Sequence, residues 1–192
     1  MQESTGLRRP AADHVSPGAG KIVVKTPGMG LHVSPRTAEL SSLFDYWNAK
    51  RGERRFILRS QLDPREITAL LPLVFILDVQ HEPRRYLIRL MGTQIARRFG
   101  GDYTGHYLDE LDFGTAKEQV IADYGHVVDK VEPHLAFAEY RQPGRGRIQA
   151  ERLALPMSTD GLKIDCILGS VIHVPLGARD IPEAYRKAPW SP

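Results

Sequence analysis

The sequence predicts an α+β fold built on one five-stranded antiparallel sheet with helices on one face. Extended runs fall in two groups, a pair over residues 73–90 and three more after Pro133, and the stretch between them has helical periodicity. Strands grouped at both ends exclude a doubly wound α/β fold, which needs regular alternation of strand and helix. An apolar fraction of 42% over 192 residues supplies a core for one domain.

The elements follow in order. Ser34-Pro35 is a helix start, and Leu40, Leu43, Phe44 and Trp47 follow at i, i+3, i+4 and i+7. This N-terminal helix ends near Gly52 and runs into the basic cluster Lys50, Arg51, Arg54, Arg55 and Arg59. Asp63-Pro64-Arg65-Glu66 repeats the start signal, with Glu66 placed to complete a capping box. Leu73–Val79 and Tyr86–Leu90 form a hairpin about the turn His81-Glu82-Pro83. Thr93–Phe99 is a short helix closed by Gly100-Gly101. A longer helix opens at Thr115, with Val120, Ile121, Tyr124, Val127, Val128 and Val131 as its apolar face. Three extended runs, His134–Tyr140, Arg147–Met157 and Leu162–Val174, close the domain as a meander with glycine turns at Gly144–Gly146 and Gly161.

Charge and punctuation set the boundaries. Of the net charge of +3, residues 1–34 carry +2, together with three prolines and five glycines. Without apolar periodicity that segment cannot offset its ordering entropy, so it is expected to be a disordered, flexible N-terminal tail with a short β-like patch at Ile22–Val24. The domain is expected over 35–176, and 177–192 as a polar C-terminal tail. The single cysteine excludes an internal disulfide, a Cys-x-x-Cys pair and a multi-cysteine zinc site, and fits a cytoplasmic, reducing address. The most apolar run is interrupted by Pro72 and too short to span a bilayer, and no signal-peptide pattern precedes it.

Motif searches give no catalytic or metal-ligating set and name no cofactor. Gly18-Ala19-Gly20-Lys21 has Ile22 where a phosphate-binding loop needs Ser or Thr, and Gly28-Met29-Gly30 lacks the third glycine of a dinucleotide fingerprint. His81-Glu82 lacks a second histidine at zinc-protease spacing. His126 falls about 240° round the helix from Val120, which predicts a solvated side chain. Nothing singles out His106 or His126 as a haem ligand, and Cys166, in an apolar strand, reads as a small buried hydrophobe.

An ordered series of segments resembles the PAS sensor domain, in particular a bacterial branch of short stand-alone PAS-like proteins. The series runs Tyr46-Trp47 with Arg51-Gly52, then Leu62-Asp63-Pro64-Arg65-Glu66-Ile67, Leu70-Leu71-Pro72 and Phe75-Ile76-Leu77-Asp78-Val79. It continues with Tyr86 to Thr93, Gly100 to Gly105, and Leu153-Ala154-Leu155-Pro156 before Asp160-Gly161. The resemblance covers about residues 36–175 and implies a sheet and helices enclosing a small space. It implies a non-enzymatic sensor or protein-interaction module in signalling, which binds a small molecule, docks a signalling partner, or both. It transfers no catalytic residue. The alternative is a scaffolding domain with a filled core, and after it an enzyme with an atypical pocket.

Candidate ligand-binding residues under that reading are Tyr86, Ile88 and Leu90 on the second hairpin strand, Tyr124 on the long helix, and Cys166 and Ser170 on the last strand. His173 is a further candidate, although either face of the last strand suits an inward position. Arg51, Arg54, Arg55 and Arg59 are candidates for docking an anion or a partner, since guanidinium groups bind phosphate and carboxylate bidentately. Leu40, Leu43, Phe44 and Trp47 form an apolar stripe. PAS-like domains often pair through such a stripe, so the resemblance implies a candidate dimerisation helix and a homodimer. Nucleic acid is an unfavoured partner, because the ordered part is nearly neutral and shows no recognition helix. No output domain fits in the remaining residues, so the output is expected to pass through another protein.

Overall fold

The computed structural model describes residues 19–21, 35–111, 113, 117–142 and 146–175. The expected strand at Ile22–Val24, the C-terminal tail and most of the N-terminal tail lie outside the described residues. The strands are β1 (Ala19–Lys21), β2 (Ile57–Leu58), β3 (Val74–His81), β4 (Arg84–Met91), β5 (His134–Gln142), β6 (Gly146–Ser158) and β7 (Cys166–Pro175). The helices are α1 (Ala38–Arg51), α2 (Thr93–Phe99) and α3 (Lys117–Lys130), with short 3₁₀ turns at Arg59–Gln61, Pro64–Ile67, Leu71–Leu73 and Leu108–Glu110.

The five expected strands are present and antiparallel. The sheet order is β1-β5-β6-β7-β3-β4, and β2 adds a short parallel pairing to the end of β6, making a mixed sheet of seven strands. The two additions sit on different strands: β1 pairs antiparallel with the outer edge of β5, and the length of β6 leaves room for β2. Residues 146–154 of β6 pair with β5, whereas Met157 and Ser158 run past it and take Ile57 and Leu58.

Alternation along the strands divides the core into two layers. On the outer face Val74, Ile76, Leu153, Leu155, Leu168 and Ile172 pack against Leu40, Leu43 and Trp47 of α1. On the inner face Phe75, Leu77, Ile167 and Val171 pack against Tyr124, Val127 and Val128 of α3. The sheet thus lies between α1 on one side and α2 with α3 on the other.

Two helix starts differ from expectation. The N-cap of α1 is Thr37, three residues after Ser34, and its side chain makes no capping bond. The carboxylate of Glu151, on β6, accepts instead from the backbone N–H groups of Arg36 (2.8 Å) and Thr37 (3.2 Å). A tertiary contact has taken over a local role. At Asp63 the cap forms, with the side chain accepting from Arg65 N–H at 3.0 Å, but the helix is a single 3₁₀ turn. Glu66 does not close a capping box; its carboxylate pairs with Lys50 Nζ at 2.7 Å.

Candidate functional site

The inner face carries the groups with chemistry. Inner positions of β5 and β6 include Ala136, Ala150 and Ala154, whose small side chains leave room for α3 and for long polar groups. Between them stand His134 on β5 and Arg152 on β6, and α3 brings Gln119, Asp123, Tyr124 and His126 to meet them. Asp123 is 1% exposed and receives Arg152 Nη2 at 2.6 Å and Gln119 Nε2 at 2.7 Å. His134 Nε2 lies 3.3 Å from the same carboxylate, and its ring lies 5.1 Å from that of His126. The Arg152 guanidinium also sits over the Tyr124 ring, 4.9 Å from its centroid. Burial pushes the Asp123 carboxyl up, but His134, Arg152 and Gln119 outweigh it and hold the group below the usual carboxylate value.

Beside this network lies an aromatic cluster. Tyr124 stands edge-on to Phe75 at 6.0 Å and tilted against Tyr86 at 5.7 Å. The Tyr86 hydroxyl is buried and has no hydrogen-bond partner among the described residues, and burial pushes its pKa up to about 12. Among the described residues His134 Nδ1 is likewise buried without a hydrogen bond, whereas Nε2 is turned to the Asp123 carboxylate.

Of the ligand candidates, Tyr86, Ile88 and Tyr124 come together in this inner layer. The other three do not join them. Leu90 is 39% exposed, because the pairing of β3 with β4 shifts between Ile76 and Leu77. Ile88 faces Leu77 and Leu90 faces Ile76, so Arg89 is an extra residue and Leu90 turns to the outer face, while Met91 takes the inward place beside Phe75. Cys166 and Ser170 lie on the outer face, whereas Ile167, Gly169, Val171 and His173 take the inner positions of β7. The Ser170 hydroxyl donates to the Leu73 carbonyl at 2.7 Å.

Cys166 is buried as expected, but its setting is partly polar. Arg59 Nη1 lies 3.2 Å from its sulfur, and Thr159 Oγ1 and Asp78 Oδ1 each lie at 3.7 Å. Burial pushes the thiol pKa up in spite of Thr159 and Arg59.

The arginine cluster is split rather than convergent. Arg51 lies over the Trp47 ring, Arg55 bonds the Lys130 carbonyl and Glu132 at the end of α3, and Arg59 pairs with Asp78 at 2.9 Å. Arg54 is exposed. The apolar stripe of α1 is also already used. Leu40, Leu43 and Trp47 are at most 1% exposed beneath the helix and Phe44 is half-buried, so the stripe faces the chain's own sheet. Periodicity reports that a face is buried, not what covers it.

His126 is not the solvated side chain its helical angle predicted: it is half-buried with its Nε2 shielded, next to His134. The network of Asp123, His134 and Arg152 was missed, although Asp123 left a signal. It falls three residues after Val120 and four before Val127, an acid inside an apolar helical stripe. Among the described residues no group of three His, Cys, Asp or Glu is arranged to hold a metal ion.

A family model for the PAS domain matches residues 36–172. The chain belongs to the PAS domain family. The matched span opens at the docking contact of α1 and closes within β7, so it takes in both core layers. No curated protein and no solved structure matches the chain. PAS domains are sensory or interaction modules as a class, and the inner layer of this one sets the Asp123–Arg152 pair beside the rings of Phe75, Tyr86 and Tyr124. Among the described residues no helix is long and apolar enough to cross a membrane.

Proposed function

We propose that this PAS domain is a non-enzymatic sensor in cytoplasmic signalling, which takes a small molecule between its sheet and α3 and reports occupancy to a partner protein. The observation that carries this reading is a pair of polar atoms in the inner layer, the Tyr86 hydroxyl and His134 Nδ1. Both are buried and without a hydrogen bond among the described residues, while His134 Nε2 is engaged by Asp123. A buried polar group left unpaired costs about 1–3 kcal/mol, and a ligand that supplies the missing partner regains it. The surrounding Phe75, Leu77, Ile88, Tyr124 and Val171 favour a mostly apolar molecule with one hydrogen-bonding end.

Native mass spectrometry of freshly purified protein, with a denatured control for released molecules, tests this. A stoichiometric adduct that Tyr86→Phe weakens is the expected result. Protein that is free of adducts under several expression conditions, and unmoved in thermal stability by a library of small aromatic and aliphatic compounds, overturns it. That outcome favours the second reading, a scaffolding domain with a filled core. The ring of Phe75 supports this second reading by packing directly onto the backbone of β7 at Gly169.

A further inference from the structure

Two consecutive residues of β6 make buried ionic contacts on opposite faces of the sheet. Arg152 points inward and bonds Asp123 of α3 at 2.6 Å. Glu151 points outward, is 0% exposed, and receives the backbone N–H groups of Arg36 and Thr37 at the start of α1. The Arg36 guanidinium reinforces that corner by lying 4.1 Å over the Phe137 ring, and Phe137 is the register partner of Glu151 on β5. The far end of α1 is fastened to the same strand, with Trp47 Nε1 donating to the Pro156 carbonyl at 3.0 Å. A second tie runs round the sheet: Arg55, just after α1, bonds the Lys130 carbonyl and Glu132 at the end of α3.

We infer that β6 is a two-sided latch, in which Arg152 holds α3 on the inner face and Glu151 holds the first turn of α1 on the outer face, so that loosening the Asp123–Arg152 pair releases α1. Successive Cβ atoms on a strand project to opposite faces, so a backbone rotation that carries residue 152 with α3 swings residue 151 the other way. The Glu151 contact responds sharply to such a rotation. It consists of two N–H donors on one buried carboxylate, and a buried charge that loses its donors is better off exposed than half-paired. The contact therefore has two arrangements, docked and released, as a switching element requires. The input to this latch rests on the sensor reading, whereas the coupling is a property of the chain alone.

Hydrogen exchange of the full chain, read by mass spectrometry, tests the coupling without any ligand. Glu151→Ala, which removes both hydrogen bonds, is expected to speed exchange in peptides spanning α1 by about tenfold or more, tenfold being the ratio that one lost buried hydrogen bond implies. Asp123→Asn is expected to speed the same peptides together with those of α3, while the β3–β4 hairpin stays protected. The double variant is then no faster in α1 than Glu151→Ala alone. Faster exchange in α3 only, an equal loss of protection across the whole domain, or additive effects in α1 would each overturn the latch. If Asp123→Asn does not fold, Arg152→Lys, which keeps the charge and shortens the reach, is read on the same peptides. Coupling without an adduct in mass spectrometry removes the sensor reading and leaves the latch. An adduct without coupling does the reverse.

Discussion

The ring of Phe75 lies so close to the backbone of Gly169 that a Cβ placed on Gly169 would stand 2.2 Å from Phe75 Cζ and 2.7 Å from the Leu153 carbonyl oxygen. Glycine is required here for space, because it lets an aromatic ring from β3 rest on β7 and fill the inner layer. Gly169→Ala is therefore expected to destabilise the domain by about 1–3 kcal/mol through overpacking. Adding Phe75→Leu should recover part of that loss, since the ring contact goes while the Leu153 carbonyl stays. Urea denaturation of the two variants measures it, and an unchanged midpoint for Gly169→Ala would contradict the contact.

The Asp123–Arg152 pair should dominate the electrostatics of the core. Arg152→Leu leaves Asp123, 1% exposed, with its guanidinium partner gone. Breaking such a pair costs about 3–5 kcal/mol when both groups are buried, and His134 beside the carboxylate together with the partial exposure of Arg152 reduces that to roughly 2–4. Replacing both residues by Leu should be milder than Arg152→Leu alone. The pH dependence follows from Asp123 being held below its usual value of 3.8. The folded state binds this proton less readily than the unfolded chain, so the contribution is complete above about 3.8 and is lost as the pH falls further. The stability gap between the natural chain and Asp123→Asn, measured at pH 7 and pH 3, is expected to narrow at the lower pH.

The hairpin, the helical middle and the meander were legible because period-2 and period-3.6 patterns and turn residues act locally. What depended on partners was not. Glu66 looked like a capping-box residue, but the Lys50 side chain lay within reach and took its carboxylate. Leu90 continued a clean alternation with Tyr86 and Ile88, and only the pairing with β3 reveals the extra residue that turns it outward. Both faces of β7 are apolar, since helices cover each side, so its alternation held no information about which set faces α3. The candidate site was half legible: Tyr86, Ile88 and Tyr124 come from apolar patterning, whereas Asp123, His134 and Arg152 lie on three separate elements that only the fold brings together.

That register difference has a direct consequence. Leu90→Ser, on an exposed outer position, is expected to change stability by no more than about 0.5 kcal/mol. Ile88→Ser, two residues earlier and 2% exposed, should cost about 2–5 kcal/mol through a cavity and an unpaired hydroxyl. Comparable losses for the two variants, measured by urea denaturation, would mean that the alternation runs unbroken through β4.

Cys166 should be chemically quiet in the folded protein. It is 2% exposed and burial raises its pKa, so little thiolate is present near neutral pH and little of the sulfur can be reached. Reaction with a thiol reagent such as DTNB is expected to proceed only through unfolding, at a rate that rises with urea in step with the unfolding rate. Fast stoichiometric labelling in the absence of urea would show that the site opens locally.

His173 carries the last expectation. Burial, reinforced by the nearby charge of Arg98, lowers its pKa from 6.5 to about 4, and its ring lies 6.3 Å from that of Phe99 on α2. The folded state therefore resists protonation, while the unfolded chain takes the proton near 6.5. Its contribution to stability is complete above about 6.5, falls as the pH drops through that interval, and levels off below about 4. A His173→Gln variant should lose this part of the slope, which is clearest between pH 7 and pH 5, before most carboxylates titrate. Following the imidazole carbon-bound proton by NMR gives the pKa itself. A midpoint near 4 is expected, moving up in Arg98→Ala, and a midpoint near 6.5 would place the ring in water and not under α2.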